Sequence, residues 1–154
     1  MAIDKATFRN ALGHFAAGVT VVTTVGPDEA PYGLTATAFT SVSLEPPLVL
    51  VCVDRKSETF PHFGTANIFA ANFLARDQEE ISRRFAVSGG DKFAAIAWHR
   101  GVLGTPILDG TIGHVECRIC NAYEGGDHII YVGQVESAVV SQGEPLVYFR
   151  GAYR

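Results

Sequence analysis

The chain opens on a helical spacing of apolar side chains: Phe8, Ala11, Leu12 and Phe15 fall at i, i+3, i+4 and i+7. Asp4 stands ahead of them where a capping carboxylate belongs, so the pattern predicts a helix packed by one face. The period then shortens. Residues 19–25 are dense in Val and Thr, Gly26-Pro27-Asp28-Glu29-Ala30-Pro31 breaks the run with turn chemistry, and Tyr32-Gly33-Leu34 resumes it, which predicts a hairpin. Residues 39–43 predict a third strand, and beyond Pro46-Pro47 residues 48–53 predict a fourth that is apolar on both faces.

Ser57-Glu58-Thr59-Phe60 predicts the start of a short helix in which Pro61 must lie in the first turn. Residues 68–74 return to extended chain. Asp77 with Glu80 has the spacing of a capping box ahead of a helix over 78–85, although that motif properly begins with Ser or Thr. Ser88-Gly89-Gly90-Asp91 predicts a loop, and residues 92–110 leave a helical turn around 93–98 and loop chemistry at Gly104-Thr105-Pro106 both open. Val115, Cys117 and Ile119 then alternate with polar neighbours, Glu124-Gly125-Gly126-Asp127 turns the chain, and residues 129–139 and 146–149 predict further strands. Many strands on short turns with a few helices predict a mainly β fold, an antiparallel barrel with flanking helices, built as one domain over 1–154.

Charge narrows the function. Only 18% of residues are charged, below the roughly 25% usual for soluble domains. That leaves apolar surface for a partner subunit or a flat cofactor to cover, or reflects a well-filled core. The net charge of -4 and the absence of any Lys/Arg run exclude a nucleic-acid footprint. The longest apolar run, residues 48–53, is too short to span a bilayer, and Met1-Ala2-Ile3-Asp4-Lys5 leads into the amphipathic pattern rather than a secretory leader. Three cysteines cannot all pair, which predicts a reducing cytoplasm.

Neither a G-x-G-x-x-G nor a P-loop occurs, so any dinucleotide must bind without those phosphate cradles. Cys117 and Cys120 have the spacing of a redox or zinc pair, but strand residues three apart point to opposite faces, and the five histidines make no metal-ligand spacing. In Gly33-Leu34-Thr35-Ala36-Thr37-Ala38-Phe39-Thr40-Ser41-Val42-Ser43, hydroxyls alternate with small side chains. Such a segment suits close approach of a flat ligand, or is a plain Thr-rich strand. Asp54-Arg55-Lys56-Ser57 places two cations beside a helix start, a phosphate cradle or a surface loop. His128, in a Gly-rich turn, is a ligand contact or a solvated turn residue.

These segments in sequence, from Gly33 through Pro46-Pro47-Leu48 to Asp54-Arg55-Lys56-Ser57, closely resemble the flavin-binding signature of the short-chain flavin reductase family, the reductase components of two-component flavin monooxygenases. The resemblance continues through Phe69-Ala70-Ala71-Asn72-Phe73-Leu74, Arg84-Phe85-Ala86, Asp91-Lys92-Phe93, Gly126-Asp127-His128 and Tyr148-Phe149-Arg150-Gly151-Ala152-Tyr153. It implies an FMN-binding split β-barrel that forms a homodimer with flavin near the subunit interface. It further implies that NADH or NADPH reduces FMN or FAD and that the reduced flavin passes to a partner monooxygenase. By resemblance, Thr35, Ala36, Thr37 and Ser41 border the flavin ring and ribityl chain, while Asp54, Arg55, Lys56 and Ser57 lie near the ribityl and phosphate end. Asn72 and Leu74 contact the ring, Phe85 and Phe93 pack around it, His128 meets the nicotinamide, and Tyr153 shapes that same pocket. Residues 59–68 match the family less well and receive no role.

Two other functions fit a barrel of this kind. A non-catalytic FMN-binding electron carrier or flavin sensor would need no nicotinamide site, against which Gly126-Asp127-His128 stands. An oxidase of the pyridoxamine-phosphate type would need a second basic cluster, and the sequence has none.

Overall fold

Asp4 caps the first helix as its position predicts: Oδ1 accepts from the Thr7 N–H at 2.9 Å, and α1 runs Lys5–Gly13. The expected packing of its apolar face does not occur within this chain, because Phe8 and Leu12 are each 53% exposed and Phe15 is 78% exposed. The computed structural model describes residues 2–154.

In chain order the elements that follow are β1 (Ala17–Gly18), β2 (Thr20–Val25), β3 (Pro31–Ala36), β4 (Phe39–Ser43), β5 (Leu48–Asp54), α2 (Phe60–Ala66), β6 (Ile68–Phe73) and α3 (Glu79–Phe85). They continue through β7 (Trp98–Arg100), β8 (Pro106–Leu108), β9 (Gly113–Gly125), β10 (His128–Val140), β11 (Val147–Phe149) and β12 (Ala152–Tyr153). Seven strands form one antiparallel sheet in the order β3-β2-β6-β9-β10-β5-β4. Its two edge strands, β3 and β4, are consecutive in the chain and joined only through Thr37 and Ala38. The sheet therefore curls until its edges meet at one corner without pairing there, and the barrel is split.

β2 is buried along almost its whole length, which explains a run with no apolar–polar alternation. Val22 faces a cluster with Val51, Phe63, Phe69 and Cys117, and Val21 faces a second one with Leu74, Phe85, Phe93 and Leu146. The interleaved hydroxyls are satisfied on backbone: Thr20 donates to Ala36 O, Thr23 to Pro106 O and Thr24 to Ile68 O at 2.6–2.7 Å. Pro61 sits in the first turn of α2, where its missing N–H costs nothing.

A further expectation needs correction. The Asp77–Glu80 capping box does not form. A single tight turn over Arg76–Gln78 precedes α3, and Gln78 Oε1 accepts from the Ala75 N–H at 2.9 Å while its Nε2 donates to Asp109 O. The open stretch at 93–98 makes a hydrogen-bonded turn over residues 92–95 without becoming a helix, then enters β7, which pairs with β8; the connection between those strands is held by Glu116 from β9. This carboxylate, 1% exposed, accepts from the N–H groups of Val102 and Leu103 and from the Thr105 hydroxyl. Alternation alone had placed it on a polar face.

Candidate active site

The corner where β3 passes into β4 is also where a cleft of about 430 Å³ opens. Residues 34–38 form one wall, the turn after β5 forms the second, and the chain after α3 forms the third. Each wall is fixed from behind. Thr35 Oγ1 donates to Ser82 O at 2.6 Å, and Ser82 Oγ lies 2.7 Å from the Tyr153 hydroxyl, so α3 and β12 brace β3. With those groups engaged, Thr37 and Ala38 present small side chains and backbone to the opening.

The second wall is a compact turn. Asp54 Oδ1 accepts from the Lys56 N–H at 2.9 Å, Asp54 O accepts from Ser57, and Ser57 Oγ accepts from the Phe60 N–H. These bonds hold Lys56 and Ser57 on the cleft side. Arg55, between Asp54 and Lys56, turns away, with Nη2 3.4 Å from Glu124 on the β9–β10 hairpin. His128 stands opposite Asp54 in the β10–β5 pairing and completes this end. Its Nδ1 lies 2.7 Å from Asp127 Oδ1, which leaves Nε2 as the ring nitrogen open to a ligand. The same contact holds the Asp127 carboxyl below its ordinary range. Cys52 also lines the cleft, and burial pushes its thiol up, so it is neutral rather than nucleophilic.

Of the residues singled out from the sequence, the cleft gathers Thr35, Ala36, Thr37, Asp54, Lys56, Ser57, Phe85 and His128. The others lie elsewhere. Ser41 is exposed on β4, outside the cleft. Asn72 is fully buried and does not line the cleft; its amide donates to Val21 O at 2.9 Å and accepts from the Leu108 N–H at 3.0 Å, so it ties strands together. Leu74, 1% exposed, packs in the second core cluster and borders an apolar recess beside Phe15. Phe93 lies behind Phe85, edge-on at 5.0 Å, and Tyr153 stands behind the cleft wall, its hydroxyl on Ser82 and its ring against the cluster that holds Phe85.

Sequence reasoning gave no role to Lys92, although Asp91-Lys92-Phe93 stood within the matched motifs. Lys92 lines the cleft with its side chain 14% exposed, its ammonium 3.6 Å from Glu58 Oε1. The cleft is thus two-ended: a slot of small and apolar groups along 34–38, and a cationic end with Lys56, Lys92 and a Ser57 hydroxyl. That donor set fits a flat ring carrying an anionic tail, the chemistry of a flavin phosphate. Among the described residues there is no cluster of side chains able to hold a metal.

The family model for the flavin reductase like domain matches residues 12–154. This chain belongs to that family. The flavin reductase-like domain is 39% identical to the reductase subunit HsaB of a flavin-dependent monooxygenase from Mycobacterium tuberculosis H37Rv, over 98% of this chain and 82% of that one. It is 44% identical to the FMN reductase (NADH) SmoA of Agrobacterium fabrum, over 97% and 85% of the two chains. It overlays the NADH:FAD oxidoreductase SgcE6 of Streptomyces globisporus, solved with NAD and FAD fragments, at a TM-score of 0.93 and 39% identity, over 98% and 92% of the chains. The mainly β architecture is the split barrel of this family.

Proposed function

We propose that the cleft holds a flavin with its ring along Thr35, Ala36 and Thr37 and its phosphate at Lys56 and Ser57, and that His128 meets the nicotinamide. The chain is an NAD(P)H:flavin oxidoreductase that supplies reduced FMN or FAD to a partner monooxygenase. The observation that carries this function is the two-ended cleft, which has room and charge for a flavin phosphate, while its two carboxylates are engaged within the wall, Asp54 by the Lys56 N–H and Glu58 by the Gly89 N–H and Lys92. Nicotinamide and flavin, when bound, supply the hydride transfer by their own ring chemistry. The protein's part is orientation. The braced β3 wall gives a ring a fixed plane, Lys56 anchors its tail, and the Asp127–His128 contact fixes the imidazole beside the space left for a second ring.

The functional unit is a homodimer, and each copy acts as one domain. The exposed Phe8, Leu12 and Phe15 and the adjoining apolar recess of about 400 Å³ support a covering subunit. Thr37 borders both that recess and the cleft, so a second copy seated there would border the flavin. Three free thiols support a cytoplasmic setting, and no described helix is long and apolar enough to cross a membrane. Titration of the purified protein with FMN, followed by flavin fluorescence quenching, tests the site. Saturable quenching that Lys56→Ala weakens is expected, and quenching without saturation would contradict it.

A further inference from the structure

A second cavity of about 410 Å³ adjoins the first, and Glu58, Thr59 and Lys92 line both. Its remaining wall differs in chemistry from the flavin slot, being built from the aromatic side chains of Tyr32, Phe93 and Trp98 with Asp91 at the rim. Phe85 of the first cleft and Phe93 of the second meet edge-on at 5.0 Å, and Phe93 meets Trp98 at 5.4 Å, so a continuous aromatic partition underlies the passage. Lys92 stands in that passage. Its nearest anion, Glu58 Oε1, is 3.6 Å away, beyond hydrogen-bonding distance, and the same oxygen already accepts from the Gly89 N–H. A cation on a largely covered side chain, so loosely paired, is suited to a further anion.

We infer that the second cavity is an adenosine subsite, and that the chain takes FAD in preference to FMN. The inference rests on the neighbouring cleft holding the flavin. FMN needs one cationic anchor, and Lys56 with Ser57 supplies it. Lys92, at the exit toward the aromatic cavity, then meets the second phosphate of FAD. Beyond it, Tyr32 and Trp98 give a purine flat apolar surface, and the Asp91 carboxylate accepts from ribose hydroxyls.

The test fills the second cavity without touching the first. Ala94, exposed, and Ala30, half-buried, both line the cavity, and neither borders the flavin cleft. Kd values for riboflavin, FMN and FAD are measured by fluorescence quenching for the wild type, Ala94→Trp and Ala30→Trp, with an unchanged thermal midpoint as the check on folding. The wild type is expected to bind FAD about tenfold or more tighter than FMN. At least one variant should lose that preference while FMN and riboflavin stay within about twofold. Equal affinity for FAD and FMN in the wild type would overturn the subsite, as would an FAD preference that survives both folded variants. A selective rise in the KM for NADH at saturating FMN would assign the cavity to the nicotinamide cofactor and also overturn it. A wild type that binds no flavin at all would instead remove the flavin cleft itself.

Discussion

His128 faces Asp54 directly across the pairing of β10 with β5, so the imidazole and the turn carrying Lys56 and Ser57 sit at the same end of the barrel in fixed register. Strand pairing thereby sets the spacing between the proposed nicotinamide contact, His128, and the proposed phosphate anchor, Lys56 with Ser57, more rigidly than a loop could. His128→Ala should therefore raise the KM for NADH or slow flavin reduction while the Kd for FMN, measured without NADH, stays nearly unchanged. Asp127→Ala should act in the same direction but less, because it frees the ring without removing it. Single-turnover anaerobic mixing separates these effects from product release. Loss of FMN binding in His128→Ala would place the histidine in the flavin pocket instead.

Lys56 and Arg55 should behave differently despite being neighbours. Lys56 lines the cleft, whereas Arg55 reaches Glu124. Losing a charge-assisted hydrogen bond costs about 1.5 to 3 kcal/mol, so Lys56→Ala should weaken FMN roughly tenfold to 150-fold and leave riboflavin unchanged. Arg55→Ala should alter neither ligand by more than about twofold, since an exposed pair contributes little. The two Kd values for each variant decide it.

Cys117 should be inert as a thiol until the protein unfolds. Burial first, and the nearby Glu116 second, push its pKa up to about 12. The neutral form therefore persists as pH rises through the alkaline range, and the thiolate needed for reaction is absent at neutral pH. Timed alkylation followed by peptide mass analysis should leave Cys117 unmodified in native protein and modify it in denaturant. Labelling of native Cys117 at a rate comparable with exposed Cys120 would show that the strand opens.

Glu116→Leu should destabilise the fold, because it removes the acceptor for two backbone N–H groups while keeping the volume. Each group left unpaired costs about 1 to 3 kcal/mol. Glu116→Gln keeps one acceptor oxygen and should cost less. Urea midpoints of both variants against wild type give the comparison, and an undiminished midpoint for Glu116→Leu would mean that the 101–105 loop does not depend on this contact.

Gly133→Ala probes the core of the barrel. A methyl there would lie 2.7 Å from the Cys117 Cβ and from the Phe69 ring, so one of them must shift. Overpacking of this kind costs about 1 to 3 kcal/mol, read as a lower urea midpoint.

The β-strands and the first helix were legible because their periods are local: the Val/Thr run of β2 and the i, i+3, i+4 spacing of α1 carry their own signal. The segments around Gly33 and Asp54, singled out in the sequence, both line the cleft. What the sequence hid was set by distant contacts. Arg55 and Lys56 are adjacent, and only the β9–β10 hairpin decides that one faces Glu124 and the other the cleft. Nothing local to Asn72 announces its partners, Val21 O and the Leu108 N–H, which lie 51 and 36 residues away in the chain. Glu116 alternates like a surface residue, but a loop in need of an acceptor buries it. The α1 face was expected to be packed and is bare within the chain, since a helical period marks an apolar face without saying what covers it.

The central claim is tested most directly by mixing the purified protein anaerobically with NADH or NADPH and a several-fold excess of free FMN or FAD, while following the nicotinamide absorbance band. A reductase should consume the nicotinamide through many turnovers, at a rate that saturates in both substrates and vanishes without flavin. A carrier that holds flavin without catalysis would leave the absorbance unchanged or stop after one equivalent per site, and that result would contradict the account.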